Sequence, residues 1–130
     1  MMPPGEYYIG DLCYVLSDSW TNVCDLFLTS DSILDGEMKF RNFEFAIYAT
    51  EYGDGCYRDQ NDNAYSVDSG TLGCVALQNC EVSKEEILKR GFGHIVTFNQ
   101  FFRTGRNENG VIYFGNSDYS GPAVMIATNY

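Results

Sequence analysis

The residues best suited to chemistry are carboxylates gathered between Tyr52 and Gly73, in the stretch YGDGCYRDQNDNAYSVDSGTLG. Asp54, Asp59, Asp62 and Asp68 stand there against one basic residue, Arg58. Such a group suggests a hard cation first, because Ca²⁺ takes about six to eight oxygen ligands from carboxylates, amides and carbonyls. From Asp59 the run opens as an EF-hand loop does, with oxygen donors at Asp59, Asn61 and Asn63. Ala64 then occupies the place where that loop needs glycine, and Gly70 the place of its bidentate glutamate. The motif fails. The run is expected to be a solvated Asx-rich turn, with no metal or cofactor.

Acid–base chemistry is the second reading of these residues. Asp11 and Asp68 each sit where a glycine meets a strand-forming residue, a position in which a carboxylate commonly accepts backbone N–H bonds. As a pair sharing a pocket they would instead make an acid and a base. His94 is the only histidine, so any Cys–His or Ser–His chemistry runs through it. No G-x-S-x-G, H-x-x-x-H or H-E-x-x-H pattern accompanies it. A small hydrolase or metal-assisted enzyme would therefore draw on Asp11, Asp54, Asp68 and His94. A hydrogen-bonded structural histidine is the expectation. The glycines form neither a phosphate loop nor a dinucleotide fingerprint.

Composition narrows the partners. Among 130 residues, 8 Lys and Arg stand against 18 Asp and Glu, a formal net charge of −10. So acidic a chain repels phosphate backbones and anionic lipid, which are held through Lys and Arg, so no nucleic-acid or membrane partner is expected. Its charge serves solubility, and it also suits a face that docks a basic protein or imitates DNA. Sequestering a small signalling nucleotide would need a basic pocket built from Arg41, Arg58, Arg90, Arg103 and Arg106. The five cysteines show no C-x-x-C spacing, and the first residues show no secretory n- and h-regions, so a reducing cytoplasm with free thiols is expected.

The elements that would position these residues are mostly strands. Ten Tyr and nine Phe favour pleated sheet, and the length suits one domain over 1–130. Strand, Gly10-Asp11 turn and strand are predicted over Gly5 to Leu16. Trp20, Val23, Cys24 and Phe27 fall at helical spacing, with Ser17 or Asp18 as N-cap. Glu37 to Thr50 reads as a hairpin bent near Arg41-Asn42, and the acidic stretch as a second hairpin in which Tyr57, Tyr65 and Val67 share parity across a polar loop of Asp59, Gln60, Asn61, Asp62 and Asn63. Gly73 to Leu77 is an apolar strand. Val82 to Gly91 carries the clearest local signal: Ser83 and Glu86 as a capping box, Val82 and Ile87 as a staple, and Gly91 as the stop. Strands follow at Ile95 to Phe98, continuing at Phe101-Phe102, then at Val111 to Phe114 and Ala123 to Ala127. The expected class is α+β: a mainly antiparallel curved sheet, partly closed barrel or sandwich of about eight strands, with two short helices segregated to one face or end.

GEYYIGDLCYVL, YGDGCY, SVDSGTLGCV, GFGHIVTF and GVIYFG together resemble a family of small uncharacterised domains in phages, other large DNA viruses and bacteria. That family is typified by Y-x-I-G-D-P-C-Y, Y-G-D-G and V-D-[SA]-G-x-[LI]-G. A more distant similarity links the chain to a bacterial domain of unknown function that ends in a strand similar to AVMIATNY. Leu12 departs from the family's frequent proline. The resemblance implies no activity; it matches Asp11, Tyr14, Asp54, Asp68 and Gly70 as motif positions and implies a phage or virus setting. The expected function is a non-enzymatic binding module for a host protein, with Tyr52, Asp54, Tyr57, Asp59, Asp62 and Tyr65 as its face.

Overall fold

The computed structural model describes residues 1–27, 35–40, 43–115 and 123–128. Ten strands lie among them: β1 (Gly5–Gly10), β2 (Gly36–Phe40), β3 (Phe43–Ala49), β4 (Gly55–Asp59), β5 (Ala64–Val67), β6 (Thr71–Ala76), β7 (His94–Phe98), β8 (Thr104–Arg106), β9 (Val111–Phe114) and β10 (Val124–Ala127). Two helices join them, α1 (Trp20–Phe27) and α2 (Lys84–Arg90). The strands form two five-stranded sheets, ordered β2-β3-β6-β1-β7 and β5-β4-β10-β9-β8, with every strand pair antiparallel. Neither sheet closes on itself, so of the expected α+β forms the sandwich is the one adopted.

Side-chain alternation explains the layering. Tyr7, Ile9, Ala46, Tyr48, Leu72 and Cys74 point from the first sheet into one core, where they meet Tyr57, Tyr65, Ile112, Phe114 and Ile126 of the second. Tyr8, Phe45, Ile47 and Val75 point the other way and pack with Val23 of α1 and Ile87 of α2. The central strands of the first sheet are thus buried on both faces, which is why they read as nearly continuous apolar runs. Both helices lie on the outer face of that sheet, as their single apolar stripes require. No described helix is long and apolar enough to cross a membrane.

Local signals and structure agree where partners are close in sequence. Ser83 Oγ accepts the Glu86 N–H, and Gly91 ends α2 in the left-handed conformation, donating its N–H to Ile87. Tyr57 and Tyr65 are cross-strand partners, and the β2–β3 register pairs Phe40 with Phe43, while the bend at Arg41-Asn42 lies outside the described residues. Three expectations are corrected. Leu12 to Leu16 is not a strand; Leu12–Tyr14 is a 3₁₀ turn, because Asp11 Oδ1 accepts the Cys13 N–H and coils the backbone. Phe101-Phe102 contributes one bridge, Phe102 to Met2, and β8 forms unforeseen at Thr104–Arg106.

The third correction concerns the start of α1. The helix opens at Trp20, so Ser17 and Asp18 stand before its N-cap position, and Glu81 reaches across from the segment before α2. Its Oε2 accepts the Ser17 and Asp18 N–H groups at 3.1 and 2.8 Å and the Ser17 hydroxyl at 2.8 Å, and its Oε1 accepts the Ser19 N–H at 3.0 Å. What burial it has raises its carboxyl pKa, but the bonds from Ser19, Ser17 and Asp18 outweigh this and hold it down at about 2, against an ordinary 4.5. A depressed folded pKa contributes stability that is complete above the unfolded value and lost as pH falls through the folded one. Glu81→Gln should therefore flatten the pH dependence of unfolding between about 4.5 and 2, with a destabilisation of about 1 kcal/mol at neutral pH, as expected for a lost helix cap. Urea titrations of both proteins across that window check this, and superimposable pH profiles would remove Glu81 from the account.

Candidate functional site

Asp11 is fully buried, and its two oxygens join distant loops. Oδ2 accepts the N–H groups of Asp68 and Ser69, both at 2.7 Å, while Oδ1 accepts Cys13 N–H at 3.0 Å and the Ser69 hydroxyl at 2.7 Å. A carboxylate so engaged is fixed as an acceptor and has little capacity left for acid–base work. Its effect is positional: it clamps the β5–β6 turn onto the end of β1. Thr50 tightens the same region, its N–H and hydroxyl reaching the carbonyl of Gly70 and its hydroxyl also that of Gly53.

Above this clamp lies an acidic junction. Tyr52 is 65% exposed, and Asp54 and Asp68 are exposed as well. Asp54 Oδ1 stands 3.9 Å from where a side chain on Gly70 would begin, so the loops that carry Asp54 and Asp68 meet at Gly53 and Gly70. Both residues have left-handed backbones, φ +74° and +73°, which glycine adopts without steric cost. Tyr14 donates its hydroxyl to Asp68 Oδ2 and stacks on Phe92 at 4.7 Å, and the Arg90 guanidinium covers the same Phe92 ring at 5.6 Å. Burial, followed by the bond to Asp68, raises the Tyr14 pKa, so the phenol stays protonated.

His94 lies elsewhere. It opens β7, an outermost strand of the first sheet, and lines a cleft of about 360 Å³ with Asp59, Asn61, Asn63, Tyr65, Ile95, Val96, Ala123 and Val124. Its Nε2 is 3.2 Å from the Ala64 carbonyl, and its ring meets Tyr65 edge-on at 4.9 Å. Asp59 Oδ1 accepts the Asn61 and Asn63 N–H groups, and Oδ2 accepts the Asn63 amide and the Tyr65 hydroxyl. Burial works to raise its pKa, yet the bonds from Tyr65, Asn63 and Asn61 win and hold the carboxyl below its ordinary value. Asp59 is thus ionised at neutral pH.

The residues singled out in the sequence fall into separate places. Of the set Asp11, Asp54, Asp68 and His94, only His94 lines the cleft. Of the expected binding face, Tyr57 and Tyr65 are core residues at 2% and 0% exposure and Asp59 is buried, so none of the three offers a surface to a protein. Their burial follows from strand alternation: the parity that pairs Tyr57 with Tyr65 turns both rings into the inter-sheet core. Tyr52, Asp54 and Asp62 remain exposed, but Asp62 sits at the hairpin tip with Arg58, at the opposite end of β4 from Asp54.

No protein-family model, curated protein or solved structure matches this chain. Its chemistry is therefore read from its own side chains. The five cysteines are free thiols, and burial raises the pKa of Cys13, Cys24, Cys74 and Cys80, the last to about 12. No cysteine lines the His94 cleft. Among the described residues no group of three or more His, Cys, Asp and Glu side chains could hold a metal ion. Of the five arginines, Arg41 lies outside the described residues, while Arg58 pairs with Asp62, Arg90 with Glu86 and Arg106 with Asp35, on three different elements, and Arg103 stands with Met1, Gln100 and Phe101. Tyr14, Phe92, Asn61 and Asn63 carry the two sites as much as the acids do. In the sequence they read only as strand or turn residues, though Tyr14 stood among the matched motif positions.

Proposed function

We propose that the protein is a non-enzymatic interaction domain that docks a basic protein partner on the junction of Tyr52, Asp54 and Asp68. The observation that carries this reading is a pair of exposed carboxylates, Asp54 and Asp68, on loops that meet at Gly53 and Gly70, with the Asp68 loop held by the buried Asp11 clamp and the exposed Tyr52 two residues before Asp54. Pre-positioned charges steer an oppositely charged partner and fix its register, and a tyrosine supplies contact area at low entropic cost. The net charge of −10 adds long-range attraction for a basic surface. The free thiols fit a reducing compartment, here the cytoplasm of a bacterial or infected cell, as the motif likeness to phage and viral domains suggests.

Pull-down from a bacterial host lysate tests the proposal, with the wild type, Asp54→Asn and Asp68→Asn as baits. The expected result is a basic protein retained by the wild type, lost in stages through the two variants and released as salt rises. A partner retained equally by all three baits would move the binding face away from this junction.

A further inference from the structure

We infer that the cleft between β5, β7 and β10 is a binding site for a small organic cation, an ammonium or guanidinium on a short aliphatic stem. Its volume of about 360 Å³ falls within the range of small-molecule sites. Among the described residues no lysine or arginine lines it.

The polar inventory is biased toward acceptors. The Ala64 carbonyl can only accept, so of the two neutral imidazole tautomers the 3.2 Å contact with His94 Nε2 selects the one whose Nδ1 is an acceptor. The Asn63 amide gives one N–H to Asp59 Oδ2 at 3.1 Å, which leaves its carbonyl oxygen as an acceptor and one N–H as a donor. The ionised Asp59 lines the same cleft, and among the described residues its hydrogen-bond partners are all uncharged: the Asn61 N–H, Asn63 N–H, Asn63 amide and Tyr65 hydroxyl. A buried anion held only by neutral donors projects negative potential into the space beside it.

The other walls are apolar. Ile95 and Val96 of the outermost strand β7 face Ala123 and Val124 at the start of β10. A hydrocarbon stem of a few methylenes covers such a wall, each buried CH₂ contributing about 0.8 kcal/mol, while its cationic head lies against the acceptors. An anion would meet the field of Asp59 with no described lysine or arginine to offset it, and a neutral diol would gain nothing from that field.

The test is titration of the ¹⁵N-labelled full chain, followed by NMR, with agmatine, cadaverine, glutarate and pentanediol as probes. The expected result is saturable shifts of the Asn63, Tyr65, His94 and Val124 amides with the two cations and none with glutarate or pentanediol. His94→Phe keeps a ring against Tyr65 and removes the acceptor, and should weaken cation binding about tenfold, the loss expected for one hydrogen bond to a charged group. Ala123→Lys tethers an ammonium at the rim and should abolish binding by occupying the cleft itself; a variant whose spectrum shows the native fold yet still binds agmatine overturns the site. Equal shifts with agmatine and glutarate, or none with agmatine up to about 10 mM, a concentration covering the weakest useful affinities, also overturn it. An arginine-containing tripeptide that binds far more tightly than agmatine would replace a free small molecule with a peptide side chain as the ligand.

Discussion

Asp11→Ala is expected to lose about 3–5 kcal/mol of stability, on the order of 1 kcal/mol for each of four buried donors left without an acceptor. Four donors, the N–H groups of Cys13, Asp68 and Ser69 and the Ser69 hydroxyl, would lose their acceptor at a position closed to water. Leaving such groups unpaired costs more than the bonds contributed net, because each had already given up its water. Against a typical total of about 5–15 kcal/mol, the variant should lie close to unfolding. Its urea midpoint should fall on the order of 2 M, given a slope of about 1–3 kcal/mol/M. Ser69→Ala removes one hydroxyl from the same cluster and should cost about 1 kcal/mol. Asp11→Asn should resemble Asp11→Ala more than the wild type, since its amide NH₂ would face donors. An Asp11→Ala midpoint within the error of Ser69→Ala would reduce the clamp to an ordinary turn contact.

Gly73→Ala is expected to be comparably severe for a steric reason. A Cβ on Gly73 would lie 2.2 Å from the Ala46 carbonyl oxygen and 3.1 Å from the Leu12 side chain. The first contact is with backbone of the adjacent strand, so relief requires β3 and β6 to part. Overpacking a core usually costs about 1–3 kcal/mol; here separation of two central strands should take the loss to the upper end or beyond. Gly91→Ala separates this effect from backbone strain. Gly91 has φ +67° and open space around it, so alanine there should cost only about 1–2 kcal/mol through the left-handed conformation. Hydrogen exchange would locate the damage: faster exchange at the β3–β6 pairs Phe45–Val75 and Tyr48–Leu72 in Gly73→Ala, and only at the end of α2 in Gly91→Ala. Unchanged exchange between β3 and β6 would show that the strands absorb the methyl group.

Both positions stand at glycine-aspartate motifs conspicuous in the sequence, yet their tasks were only partly legible there. That Asp11 would accept backbone N–H bonds was readable from its place between a glycine and a strand. Which N–H groups it would take was not, because those of Asp68 and Ser69 lie 57 and 58 residues away. Glu81 is the sharper case: nothing around it in the chain marks it as the cap of a helix that begins at Trp20. The small size of β8 hid it for another reason, since three residues are too few for an alternation pattern to show.

The sequence by itself determined the elements whose stabilising partners lie within a few residues. Ser83, Glu86 and Gly91 bound α2, the Asp59 to Asn63 turn sets the register of Tyr57 on Tyr65, and two-faced apolar runs specify central strands. Such signals survive in one dimension because capping and turn bonds span two to four residues. Only the tertiary structure decided which carboxylate went where. Sheet order set β7 at one edge, which brought His94 to the Asp59 turn, and set β1 beside β6, which brought Asp11 beneath Asp68. Strand order depends on the sum of core contacts across the whole chain, and no local run of residues encodes it. The same acidic stretch was thereby divided into a buried anion beside a cleft and an exposed junction at the opposite end of the hairpin.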